Sequence, residues 1–484
     1  MIDRRSVLRT GSAALVAGGT ALYTDPLRSA QPALDDPTVV RRALALHPGL
    51  YRYQSPRQFA QRFDRFAAEW GARPALSDRF LALSRLTAAV RCGHTQCNPY
   101  NQVKTVAGAL LDRPTRLPFA FAWIDGHMVV LGDSGAATGI ARGSIVEQIN
   151  GRRPEAMLRA LLPYARADGS NDGKRVAQME MRGTDEHETF DIFQGLLFPP
   201  DAGGHKIVWR DPAGQRRTAL LPAVATSARN ALLAKPKEDG VLWDWRVGSD
   251  GVAVLTMPTW VTYRGNWDWQ AWLAERFASL AGAKGLIIDL RDNEGGTDCG
   301  TFILQHLIPA PFRPLRYFSR VAFRETPADL RPYLDTWDPG FHTLGADGVP
   351  DARGNLIVDR ADTEDILHPA GSRIGVPVAV LVGPVNSSAT FSFARRIRES
   401  GAAKLVGSPT GGNMRGINGG AFFFVRLPET GLEFDLPIKG YYPEHPQADT
   451  GVLPHIAVSN TVQDIASGYD RVMVRAHQGI VAAR

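Results

Sequence analysis

The chain has 484 residues, 44% of them hydrophobic and 21% charged, with a formal net charge of +6. That length allows two or three domain cores, and that composition excludes a disordered, collagen-like or low-complexity protein. Lysines and arginines are scattered rather than grouped, so the excess reads as general surface charge and not as a nucleic-acid footprint.

The N-terminal stretch "MIDRRSVLRTGSAALVAGGTAL" sets Arg4 and Arg5 ahead of a weakly apolar run from Gly11 to Leu22. This is the order of a twin-arginine export signal, with Ser29 and Ala30 as the candidate cleavage site, and residues 1–30 are assigned to it. The expected location is therefore periplasmic or secreted. The run is too short to cross a bilayer comfortably, and no stable membrane span is expected elsewhere. An oxidising compartment would permit one disulfide among Cys92, Cys97 and Cys299; Cys92 and Cys97 are close in sequence, but spacing alone does not pair them. No four-ligand zinc spacing and no H-E-x-x-H occurs, so no metal or organic cofactor is expected.

Residues 31–112 read as a helical region. Ser55 can cap a helix with Pro56 at its first position; Phe59, Phe63, Phe66 and Trp70 form one apolar face, and Gly71 ends it. Ser77 opens a second helix, with Phe80, Leu83, Leu86 and Val90 on one side, that stops at "RCGHT". His94 is thereby delivered at the mouth of a helix pair.

Residues 113–228 turn β-rich. Ile145, Val146 and Ile149 make a short strand, Asn150-Gly151 a turn, and Pro154 begins a helix. This stretch resembles the core of a PDZ domain, which implies a groove able to take a chain end as an added strand. The polar run "ARADGSNDGKR" (166–175) reads as an inserted loop.

Residues 229–484 alternate. "GVAVLTM", "GLIIDL" and "VPVAVLV" are continuous apolar strands, and "NWDWQAWLAERFASLAG" is a helix with Asn266 as its expected cap. Such βα alternation predicts an α/β domain with a largely parallel sheet flanked by helices. Residues 312–372, rich in Pro, Asp and Arg, read as a lid or a substrate-lining insertion.

Two stretches carry chemistry. In "LIIDLRDNEGGTDCG" a buried strand runs into Gly295-Gly296, where backbone N–H groups can face an anion as half of an oxyanion hole, or merely turn the chain. In "VAVLVGPVNSSATFSFARRIRES" a strand hands over to a helix at Ser387 and Ser388, where a hydroxyl can cap the helix or act as a nucleophile favoured by the helix dipole. "GSPTGGNMRGINGG" lacks the G-K-[ST] of a phosphate loop and reads as a substrate-facing loop.

"GLIIDLRDNEGG", "VLVGPVNSSATFSFARRIRESGAAKLVGSPTGG" and "GVLPHIAV", in this order, resemble the tail-specific, or C-terminal processing, serine protease family. The resemblance implies a crotonase-like or ClpP-like catalytic domain, with Ser388 as nucleophile and N–H groups of Ala389 and of Gly295 or Gly296 holding the oxyanion. One branch uses a lysine base, but that position holds Asn413, and Arg415 cannot give up its proton. The branch similar to the tricorn core takes its base from a "DGHT"-like turn, which corresponds here to "CGHT" and His94, with Cys92 in place of the usual Asp. The acid behind the histidine is expected near the last motif, at Asp449 or at Glu444; His455 replaces another usual Asp. The implied activity is hydrolysis of a peptide or protein substrate through an acyl-enzyme. The alternatives are a non-catalytic ligand-binding protein on the same fold, or an esterase or amidase using the same pair.

Overall fold

Helix α1 (Asp36–Leu44) leads into α2 (Pro56–Ala72) and α3 (Leu76–Ala88) in this computed structural model. The structure describes residues 34–482 except 135, 184, 232, 234–239 and 360–365; the expected export signal lies outside the described residues. Ser55 caps α2 in a reciprocal box with Gln58, and Phe59, Phe63, Phe66 and Trp70 are buried on one face. Helix α3 starts at Leu76 behind Ala75, with no side-chain cap, so Ser77 is not its N-cap. Its apolar face is buried as expected, and the chain leaves it through Arg91 in the left-handed region, φ 59°.

The β-rich part is an antiparallel meander of β1 (Phe119–Ile124), β2 (His127–Asp133), β3 (Ile145–Ile149), β4 (His205–Arg210) and β5 (Arg216–Leu221). Asn150 and Gly151 both take positive φ, 49° and 77°, in the turn after β3. The segment expected to be an inserted loop is instead interior: Arg166, Asp168, Lys174 and Arg175 are buried, and Asn171 caps the short helix α4 (Asp172–Gln178). A polar run resembles a solvated loop in composition, but these charges are buried against one another and against distant backbone.

The third part is a six-stranded sheet. It comprises β6 (Asp244–Val247), β7 (Val252–Thr256), β8 (Gly285–Asp289), β13 (Val378–Val382), β14 (Lys404–Gly407) and β18 (Ile456–Ala457), all parallel except edge strand β6. Helices α5 (Trp269–Ala278), α6 (Cys299–Leu307), α7 (Ser388–Ser400) and α8 (Arg471–Ala482) accompany it. Asp268, not Asn266, caps α5, its carboxylate accepting from the Ala271 N–H at 3.0 Å.

Among the described strands, parallel pairing is confined to that sheet. Antiparallel ladders join β9 (Tyr317–Val321), β11 (Val349–Pro350), β12 (Leu356–Ile357) and β17 (Gly440–Pro443) in one sheet. Another holds β10 (Leu334–Asp335), β15 (Phe422–Arg426) and β16 (Glu433–Pro437). One continuous core takes in the N-terminal helices, the meander and strands β15 and β16. Those late strands thus tie the early half of the chain to the edge of the α/β unit. Among the described residues, no helix is long and apolar enough to cross a membrane.

Candidate active site

The carboxyl ends of β7, β8 and β13 are laced by two buried asparagines. Asn293 donates to the Met257 carbonyl at 2.8 Å and accepts from the Gly295 N–H at 2.8 Å and the Thr390 hydroxyl at 2.7 Å. Asn386 donates to the carbonyls of Leu290 and Asn293 and accepts from the Gly383 N–H. The small polar cluster before α7 is therefore largely scaffold, satisfying backbone groups where three strands stop.

Ser388 follows this lacing at φ 52°, a left-handed conformation costing a β-carbon-bearing residue about 1–2 kcal/mol. Strain of this kind persists where the surroundings over-determine it. Gly295 and Gly296 make room for it, at φ 113° and 137°. A Cβ on Gly295 would lie 2.9 Å from the Ser388 Cβ, and one on Gly296 would lie 2.3 Å from the Trp260 carbonyl oxygen. Their N–H groups differ. That of Gly295 is taken by Asn293, whereas Gly296 leaves its own out of the bridge in which Trp260 donates to Gly295 and Thr297 donates to Trp260. Ala389, in the first turn of α7, has an N–H with no intrahelical carbonyl to reach. Ser387 makes no capping bond; its hydroxyl donates to the Glu294 carbonyl at 3.1 Å and accepts from Lys174 Nζ at 2.6 Å.

His94 arrives from the other side of the chain. The turn after α3 is pinned to β16 by the Asp435 N–H donating to the Gln96 carbonyl, and the His94 ring packs near Phe422, centroids 5.9 Å apart. His94, Ser387, Ser388, Glu294, Gly295 and Gly296 line one cavity of about 100 Å³, together with Arg166, Tyr263, Phe422 and Asp435. Burial, reinforced by the Lys174 and Arg166 cations, lowers the His94 pKa to about 3, so the ring is neutral at ordinary pH. Burial also raises Asp435, held by Asn98 and Asn101, to about 7.

Beneath the cavity lies a charge cluster that sequence reasoning missed. Glu294 pairs with Arg166 at 3.2 Å and Lys174 at 3.5 Å; burial alone would raise its pKa, but the two cations pull it below the usual carboxylate range. Burial lowers the Lys174 pKa, with Glu294 opposing. Asp168 is held by the Gly93 N–H at 2.9 Å. Its other oxygen and His94 Nδ1 are both buried without a hydrogen-bond partner among the described residues. Cys92 Sγ, a His94 ring nitrogen and an Asp168 oxygen lie within 4.8 Å of one another. The three could offer ligands to a metal. Burial raises the Cys92 pKa, though, and so disfavours the thiolate a metal needs, while Asn418 and the His94 N–H already donate to its sulfur.

Asp449 is not on the histidine. Its carboxylate accepts from the Ser170 N–H and hydroxyl, both at 2.9 Å, and from Asn413 at 2.7 Å, while Arg415 stands 3.7 Å away. Asn413 also donates to the Asp168 carbonyl at 3.3 Å. Asp449 thus braces the turn that carries Asp168, a carboxylate already satisfied by neighbours it cannot leave. Glu444 is exposed and lines a different cleft. His455 serves the sheet, its Nδ1 accepting from the Leu405 N–H at 2.9 Å. Cys92, Cys97 and Cys299 are free, buried thiols.

Residues 251–458 match the sequence model of Peptidase family S41. No curated protein matches the chain. Among solved structures, a mutant of CPAF is similar with a TM-score of 0.61 and 15% identity, over 92% of this chain and 98% of that one. Mature CPAF complexed with lactacystin is similar with a TM-score of 0.59 and 16% identity, over 92% and 98%. At such identities the likeness is one of fold.

Proposed function

We propose that the protein is a serine peptidase in which Ser388 attacks a substrate carbonyl and His94 accepts its proton. The observation that carries this reading is the meeting of a strained serine, a neutral imidazole and an unengaged glycine N–H around one cavity, although they arise almost three hundred residues apart. A serine hydroxyl is a weak nucleophile until a base takes its proton. As the Ser388 Oγ–carbon bond forms, the carbonyl π electrons move to oxygen, and the N–H groups of Ala389 and Gly296 stabilise the resulting charge. Gly295, with its N–H on Asn293, takes no part. The imidazolium then returns its proton to the leaving amine as the C–N bond breaks, and water attacks the acyl-enzyme by the same route.

Asp168 is the positioning group behind His94 in this reading. Its unpartnered oxygen complements the unpartnered Nδ1, and a small movement or one water would join them on substrate binding. Asp449 acts one layer further out, through Asn413 and Ser170. Export by the twin-arginine signal and docking of substrate chain ends on the β-rich unit belong to the same proposal. Loss of export in an Arg4→Lys, Arg5→Lys variant tests the first, and altered preference for free over amidated C-termini on deleting the unit's turn at Asn150-Gly151 tests the second.

A second reading has an observation of its own. Lys174 Nζ lies 2.6 Å from the Ser387 hydroxyl, and burial lowers its pKa, so a Ser387–Lys174 dyad is the rival. Against it, Ser387 is buried and already bonded to the Glu294 carbonyl, and Lys174 is ion-paired. A fluorophosphonate probe separates the two. Labelling that is lost in Ser388→Ala and kept in Ser387→Ala supports the first reading; the reverse pattern replaces it with the second.

A further inference from the structure

A cleft of about 750 Å³ lies outside the cavity of Ser388 and His94. It sits where the segment after α1 meets β9, β17 and the turn between β11 and β12. Its size is that of a ligand site. Its chemistry is cationic. Arg52, Arg320, Arg353 and Arg415 line it, against Asp351 and the exposed Glu444. His47, also in the wall, is neutral because burial lowers its pKa to about 3.

The cations are held in place. Tyr442, whose hydroxyl donates to the Pro48 carbonyl, carries the Arg52, Arg320 and Arg353 guanidiniums over its ring at 4.0, 4.6 and 5.9 Å. Arg52 spends its terminal nitrogens on the carbonyls of Gly416 and Tyr441, which fixes its position without cancelling its charge. Arg320 is offset by Asp351 at 3.1 Å, and neither Arg52 Nε nor Arg320 Nε has a hydrogen-bond partner. Arg353 has no ion-pair partner among the described residues, so the ring presents more guanidinium than carboxylate. Guanidinium forks match carboxylates, and preorganised ones lose little entropy in doing so.

We propose that this cleft is an accessory site for an acidic stretch of polypeptide, held by its carboxylates. The choice of polypeptide over a small anion rests on the peptidase reading. A loop running from one cavity toward the other supports it: Arg52 holds Gly416, and the same loop continues to Asn418, which donates to Cys92, and to Gly419, where a β-carbon would lie 3.7 Å from the His94 ring. A substrate seated on the arginines would press on the loop that backs the base.

The test is binding of a fluorescent Glu-rich peptide to full-length Ser388→Ala protein, beside its Gln-substituted twin and inorganic phosphate as competitor. The expected result is binding of the Glu peptide that weakens at least about tenfold in Arg353→Met, an exposed position, and further in Arg320→Met, with the twin weaker by a similar factor. Cleavage of a short uncharged peptide by Arg353→Met in the Ser388 background stays unchanged. Equal binding of the twin, indifference to both substitutions, or phosphate that binds and displaces a peptide no tighter than itself would each overturn the proposal. Absence of fluorophosphonate labelling on both Ser388 and Ser387 would overturn the peptidase reading instead, leaving the binding result to stand or fall by itself.

Discussion

The two walls of the catalytic cavity are built by opposite means. The wall bearing Ser388 is backbone made precise by neutral groups: two asparagines, two glycines and three strand ends. The wall bearing His94 is held by charge: buried Asp168, Arg166 and Lys174 from one polar segment, and partly buried Glu294. Neutral lacing fixes where a nucleophile stands. Charge in a poorly solvated place also fixes how readily a base is protonated. The first wall sets position, and the second sets position and proton affinity together.

Four tests break or sharpen that contrast. The largest effect is expected from His94→Ala, which removes the proposed base and should lower kcat by roughly four orders of magnitude or more with an unchanged circular dichroism spectrum. A loss of tenfold or less would separate the two walls functionally. Next, Asp168→Asn should cost about two to three orders in kcat with little change in KM, whereas Asp449→Asn, one layer out, should cost about tenfold. Equal losses would make Asp449 the direct partner after all.

Third, Lys174→Met removes a cation that opposes protonation of His94. The His94 pKa, about 3 in the parent, rises, and the acid limb of the kcat/KM profile moves to higher pH. An acid limb that does not move would show that the charged wall holds shape alone. The same neutral state has a stability consequence. The unfolded histidine binds its proton below about 6.5 and the folded one does not until about 3, so the unfolded state holds more protons between them. Stability is therefore full above that window and declines as pH falls through it. The smallest catalytic effect belongs to Phe63→Ala, buried in α2 and lining neither wall. It should cost about 3–5 kcal/mol of unfolding free energy in urea titration while leaving kcat per folded molecule unchanged.

The neutral wall was legible in the sequence because its logic is local. An apolar strand, a glycine pair, a strand-to-helix turn and adjacent serines all declare themselves within a dozen residues, and β8, β13 and α7 lie where the alternation puts them. His94 could be picked from eleven histidines only through the resemblance of "CGHT" to a family turn, since nothing in its spacing selects it. The charged wall was illegible. "ARADGSNDGKR" has the composition of a solvated loop, and its burial depends on partners from residue 93 to residue 449. The one local hint was the alternation of small apolar Ala165 and Ala167 with Arg166 and Asp168, a pattern too short to weigh. Asp449 was expected behind the ring, but its carboxylate is taken by Ser170 and Asn413, because sequence order gives neighbourhood but not direction.

The bracing of Asp168 by Asn413 and Asp449 has a temporal meaning. During synthesis, the histidine emerges long before the serine, and the residues that steady its carboxylate neighbour emerge later still. A ribosome-bound chain can form its early helices and still lack an aligned proton acceptor, and any truncation upstream of Asp449 leaves the turn around Ser170 without its anchor. On the proposed reading, alignment of His94 waits for residues that leave the ribosome after Ser388, so the order in which the chain is made holds the pair back.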